Sequence, residues 1–185
     1  MGLSGHPTAI AGVTSIATGR VQDARGAFAR LFCEQELAPW LDGRRIVQIN
    51  HSLTHAVGTV RGLHFQHAPH AETKLVRCLR GRVWDVVVDL RQGSPTFLRW
   101  HAEELSAGNA RMLLVPEGCA HGFQVLEADS ELLYLHTAAY TASAEGGLRH
   151  DDPALAIAWP LPPQGLSERD RQHPLLPPDF TGLPA

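Results

Sequence analysis

The chain has 185 residues, 44% of them hydrophobic, enough for one domain over residues 1–185 with a sizeable core. A formal net charge of -3, a sequence pI near 6.4 and scattered Lys and Arg exclude a general nucleic-acid binder while leaving room for a local basic pocket. Cys33, Cys78 and Cys119 are widely spaced and form no Cys-x-x-Cys pair, which argues for reduced thiols in a cytoplasmic protein rather than a disulfide frame or zinc knuckle.

The first residues carry neither a basic n-region nor a sustained apolar run, and no segment is long and apolar enough to span a bilayer, so a soluble protein is expected. Ile10 to Thr18 reads as a first strand. Asp23-Ala24-Arg25-Gly26 reads as a turn leading into a short helix over Ala27 to Leu41, which Asp42-Gly43 ends. Ile46 to Asn50 follows as a strand that puts Gln48 and Asn50 on one face, suited to a ligand, before a loop over residues 51–58.

The stretch from Val60 to Leu90 concentrates the chemistry. Trp84, Val86, Val88 and Leu90 alternate with Asp85, Val87 and Asp89, the period-2 signature of a half-buried strand. Arg61, His64, Lys74 and Arg77 lie on flanking extended segments, so the sheet presents a possible general base and several cations. The turn Gln92-Gly93-Ser94-Pro95 leads to Phe97 to Ala102, and further strands are expected at Met112 to Val115, Gly122 to Leu126 and Glu131 to Thr137. Many short strands with one credible helix predict an antiparallel sandwich or barrel. The proline-rich tail, residues 153–185, reads as a surface wrap in which Ser167 and Asp170 open a short helical turn.

Two cations facing a pocket are costly unless an anion answers them, which raises the functional weight of His64 beside Arg61 and Lys74. A metal site is the competing reading: His64, His67, His70 and Glu72 are close in sequence, and Pro116-x-Gly118-x-x-His121 resembles the second half of the cupin metal motif. The first half does not follow, because His64-x-x-His67 on one strand sends the two imidazoles to opposite faces. Tyr134, on an alternating strand, is a candidate general acid. Cys119 and His121 lie too close on a turn to act as a nucleophile and base pair. The commonest dinucleotide, phosphate-loop and serine-hydrolase motifs are absent.

Arg61-Gly62-Leu63-His64-Phe65-Gln66, Lys74-Leu75-Val76, Gly81 through Arg91, Gly93 to Phe97, Gly118 through Phe123, Asp152-Pro153-x-Leu155 with Trp159-Pro160, and Leu166-Ser167-x-x-Asp170 together resemble the dTDP-4-dehydrorhamnose 3,5-epimerase family. The resemblance implies a mainly β, cupin-type antiparallel β-sandwich or jelly roll with short peripheral helices. It further implies a metal-free, cofactor-independent homodimer acting on a nucleotide-sugar substrate. His64 matches the base, Asp170 its carboxylate partner, Tyr134 the acid and Lys74 the lysine that stabilises an enolate. Arg25, Arg61 and His121 fall where the family holds the diphosphate or sugar, and Phe28, Gln48, Asn50 and Tyr140 where it holds the nucleotide. The chain departs from the pattern at Arg30, at His150 and at a missing proline after Tyr140. A single-centre epimerase or ketoisomerase, or a cupin that only binds a sugar nucleotide or metal, are the competing expectations.

Overall fold

A computed structural model describes residues 2–184 as two antiparallel sheets and a separate hairpin. One sheet runs in the order β1 (Leu3–Pro7), β2 (Thr14–Thr18), β10 (Arg111–Val115), β7 (Lys74–Arg80), β12 (Ser130–His136) and β5 (Gln48–Thr54). The other runs β13 (Glu145–Gly147), β6 (Val60–Gln66), β11 (Cys119–Val125), β8 (Arg82–Asp89) and β9 (Trp100–Ser106), while β3 (Arg20–Asp23) and β4 (Gly26–Ala29) form the hairpin. No helix among the described residues is long and apolar enough to cross a membrane.

The sheets pack face to face through side chains that recur at every second position. Val76, Cys78, Leu113, Val115 and Leu132 from the first sheet meet Val83, Val87, Leu105, Phe123 and Val125 from the second. Each fully buried aliphatic side chain contributes about 1.5–3 kcal/mol relative to exposure. Both outer faces are covered as well. Leu37 and Leu41 of helix α1 (Glu34–Leu41) pack against Leu75, Met112, Leu114 and Leu135. The tail lays Leu155, Ile157, Trp159, Leu176, Phe180 and Leu183 over Val86, Val88 and Leu90.

That second cover corrects the reading of β8. Its alternation is real, but Val86, Val87, Val88 and Leu90 are all fully buried, and so are Asp85 and Asp89, because the tail closes the face that would otherwise meet water. Other boundaries also move. Residues 9–12 turn before β2 begins, so the first expected strand starts at Thr14. The helix expected from Ala27 starts only at Glu34, because Asp23 Oδ1 accepts the Arg25 N–H at 2.8 Å and folds β4 back along β3. Asp42 ends the helix in the left-handed region, φ 49°, as the Asp-Gly pair predicts. The loop expected from His51 is strand as far as Thr54, since β5 pairs with β12 along seven register positions. Strand β9 begins at Trp100 rather than Phe97, because Ser94 and Thr96 first turn the chain around the Asp89 carboxylate.

Candidate active site

Strand β6 reaches the site through an irregularity. His121 of β11 is the register partner of His64, but Phe123 is that of Arg61, so three steps along β6 match two along β11. Residues three apart on a regular strand face opposite ways, and the extra residue brings both Arg61 and His64 to the cavity between the sheets. Gly62 makes this possible: its φ is 120°, and a Cβ there would sit 2.6 Å from Gly122 Cα and 2.8 Å from the His121 carbonyl oxygen.

The cavity holds about 300 Å³. Asn50, His51 and Ser52 of β5, Lys74 of β7, and Tyr134 and His136 of β12 form one wall. Arg61, His64, His121 and Phe123 form the other, with Arg169 from helix α2 (Glu168–Gln172) at its edge. The registers account for much of the first wall: His136 pairs with Lys74 and Tyr134 with Asn50, so period 2 aligns these four side chains on one face.

His64 Nε2 lies 2.7 Å from Asp170 Oδ1, although 106 residues separate them. Asp170 is placed by the turn that begins α2, where Ser167 Oγ accepts its backbone N–H at 3.0 Å, the cap that the Ser-x-x-Asp spacing predicts. Burial opposes ionisation of Asp170, yet its hydrogen bond with His64, the His64 charge and the Ser167 hydroxyl together hold it below the usual carboxylate value. A second imidazole–carboxylate pair stands beside it: His121 Nε2 is 3.0 and 2.9 Å from the two oxygens of Asp85, which is fully buried.

On the facing wall Lys74 Nζ is 2.9 Å from Glu72 Oε1, and His136 Nδ1 is 3.2 Å from Glu72 Oε2. Burial pushes Tyr134 well above the ordinary phenol value, against the lowering effect of Ser52, whose Oγ is 3.2 Å from its hydroxyl. The Tyr134 ring lies 6.3 Å from that of His121 and 6.1 Å from that of His136. Arg61 lines the cavity with no carboxylate partner among the described residues.

The structure thus brings His64, Asp170, Tyr134, Lys74, Arg61, His121 and Asn50 to one place. It does not bring Arg25 or Phe28, which lie on the β3–β4 hairpin around a separate surface cleft, with Arg25 paired to Asp23 and Phe28 67% exposed. Gln48 and Tyr140 do not line the cavity either; Gln48 Oε1 accepts the Tyr140 N–H at 3.0 Å and the Tyr140 hydroxyl donates to Glu145. Arg77, counted among the site cations in the sequence, faces the other side of β7 and donates to Thr18 Oγ1 at 2.6 Å. His67 and His70 lie outside the cavity, and burial pushes the Cys119 thiol up to about 12. Arg30 is taken up in an ion pair with Glu36.

Sequence reasoning missed His136, Arg169 and Asp85 and saw Glu72 only as a metal candidate. His136 was within reach, being two residues beyond Tyr134 on an alternating strand. Arg169 was not, because its approach to His64, 3.5 Å from Nη2 to Nε2, depends on where the tail lands.

An imidazole–carboxylate pair on one wall of a β-sandwich cavity, facing a phenol and a lysine on the other, is an arrangement suited to proton transfer on a cupin-type fold, and the relatives of the chain place it among the isomerases. The chain belongs to the dTDP-4-dehydrorhamnose 3,5-epimerase family, whose sequence pattern matches residues 7–177. It is similar to the dTDP-4-dehydrorhamnose 3,5-epimerase of Sinorhizobium fredii, with 46% identity over 168 residues, 90% of this chain and 86% of the relative. It is also similar to the dTDP-4-dehydrorhamnose 3-epimerase of Streptomyces niveus, with 39% identity over 173 residues, 92% and 83% of the two chains. The crystal structure of dTDP-6-deoxy-D-glucose-3,5-epimerase from Legionella pneumophila, in complex with dTDP-4-keto-L-rhamnose, superposes with a TM-score of 0.89 at 38% identity. That match covers 94% of this chain and 92% of the other.

Proposed function

We propose that the chain inverts C3 and C5 of a dTDP-4-keto-6-deoxyhexose, by removing and returning protons at the carbons beside the C4 ketone. The observation that carries this reading is the His64–Asp170 pair, set across one cavity from Tyr134 and Lys74. With Nε2–H donating to Asp170, His64 keeps Nδ1 as the proton acceptor, and Asp170 stabilises the imidazolium that forms. The electron pair of the broken C–H bond moves into the ketone. Lys74 Nζ, which spends one of its three donors on Glu72, meets the charge developing on O4.

Tyr134 then returns a proton from the opposite wall. Its raised pKa serves that role, because a phenol that ionises only at high pH carries its proton at neutral pH. Arg61 and His121 suit the diphosphate or sugar, and Asn50 the nucleotide end, so that binding energy from remote groups orients the reacting carbons.

Arg25 and Phe28 enter this reading only through a homodimer. The hairpin that carries them exposes Val21 and Phe28 to solvent at 56% and 67%, a large apolar surface for so short an element, and it would dock against a second copy. The three cysteines are free, which fits a reducing cytoplasm.

A narrower reading, inversion at C3 alone, is favoured by the similarity to the Streptomyces niveus 3-epimerase. Incubation with the 4-keto sugar nucleotide in deuterated water separates the two. Label at C3 and C5 supports the double epimerase, label at C3 alone the narrower enzyme, and no label at either rejects both. His64→Ala is expected to lower turnover by about 10²- to 10⁴-fold.

A further inference from the structure

His173, one residue beyond α2, has no part in the proposed reaction, yet it stands beside the His64–Asp170 pair. One ring nitrogen each from His64 and His173 and one oxygen of Asp170 all lie within 4.8 Å of one another. The Asp170 Oδ1 atom is 2.7 Å from His64 Nε2 and 3.8 Å from His173 Nε2. These values bracket the roughly 3.3 Å between donors that zinc–nitrogen and zinc–oxygen bonds of about 2.0–2.2 Å produce in a tetrahedral site. His173 Nε2 is buried and has no hydrogen-bond partner. Its ring rests on the bare backbone of Gly147, where any Cβ would come within 2.3 Å of Nε2 and 2.4 Å of Cε1.

We propose that His64, Asp170 and His173 form a site for one divalent transition ion, zinc foremost, whose occupancy switches the base off. The proposal rests on His64 being the base of the epimerase. Two imidazoles and a carboxylate are a donor set suited to zinc. An ion on His64 Nε2 displaces the proton now shared with Asp170, and the neutral ring then carries its proton on Nδ1. The nitrogen that would accept the substrate proton is thereby filled. Arg169 opposes the ion, with Nη2 3.5 Å from His64 Nε2, but Glu145 already holds its Nη1 at 2.8 Å and offers it a place to stay.

The test titrates the EDTA-treated full chain with zinc chloride alone, by calorimetry, and measures turnover of the 4-keto sugar nucleotide in parallel. One zinc per chain is expected, with turnover lost as the site fills and restored by EDTA. His173→Ala and His173→Gln are expected to keep zinc-free turnover and to bind zinc on the order of 100-fold more weakly, at the upper end of what loss of even a supporting partner costs. No stoichiometric binding to the native chain, or unchanged zinc affinity in both variants, would overturn the site. Stoichiometric binding that depends on His173, in a chain that leaves the sugar nucleotide untouched, would uphold the site and overturn the epimerase reading instead.

Discussion

Lys74 Nζ sits 2.9 Å from Glu72 Oε1, and both side chains are more than nine-tenths buried. Gln66 Nε2 donates to the other oxygen at 3.1 Å, and His136 faces it at 3.2 Å. Burial alone would raise the Glu72 pKa, but His136 and Lys74 outweigh it and hold the carboxyl at about 2, below its ordinary 4.5. A folded value below the unfolded one means stability that is present above about pH 4.5 and lost as the pH falls toward 2. The expected loss across that window is on the order of 3 kcal/mol. Urea unfolding at stepped pH should show a shallower acid slope for Glu72→Gln than for the native chain, and equal slopes would refute the linkage.

Tyr134→Phe should separate the two halves of the reaction. The variant keeps His64 and Lys74, so solvent deuterium should still enter the substrate on the face where His64 works. Inverted product should fall by about 10²- to 10⁴-fold, with little change in KM. If exchange and inversion fell together, Tyr134 would not be the opposite-face acid.

Gly62→Ala should damage the site by displacing strand β11. The new Cβ would meet Gly122 Cα at 2.6 Å and would require a non-glycine residue at φ 120°. A cost on the order of 1–3 kcal/mol is expected in thermal unfolding, together with loss of turnover, since His121 and His64 are register partners there. A variant with native stability and turnover would show that the irregularity tolerates a side chain.

Asp89→Ala should destabilise the protein without altering its chemistry. Asp89 is fully buried and accepts from Arg91 Nε and Nη2 at 2.8 Å, Ser94 Oγ at 2.5 Å and Thr96 Oγ1 at 2.6 Å, partners that hold it at about 2 against burial. Removing the anion strands a partly buried guanidinium, a loss of about 3–5 kcal/mol in chemical denaturation. Turnover per folded molecule should not change, because none of these residues lines the cavity.

Much of the architecture is legible in the sequence because strands write their period into it. The alternation from Trp84 to Leu90 and from Leu132 to His136 identifies β8 and β12, and Asp42-Gly43 and Ser167-x-x-Asp170 mark helix ends through chemistry confined to four residues. The boundaries that moved were those decided by a distant partner: β5 is extended by β12, and Gly26–Ala29 is held as strand by β3.

The sequence by itself determined the residue types and the family they resemble: a histidine after Arg-Gly, a lysine ten residues on, a tyrosine on an alternating strand and an aspartate in the tail. Tertiary structure decided which of them meet. Register and an extra residue in β6 put Arg61 and His64 on one wall, β12 puts Tyr134 and His136 opposite, and the tail delivers Asp170, Arg169 and His173 across more than a hundred residues. It also left Arg25 and Phe28 outside the cavity and buried both faces of β8. The physical reason is that strand period depends on neighbours in the chain, whereas convergence depends on sheet register and on what covers each face, and neither is a local property.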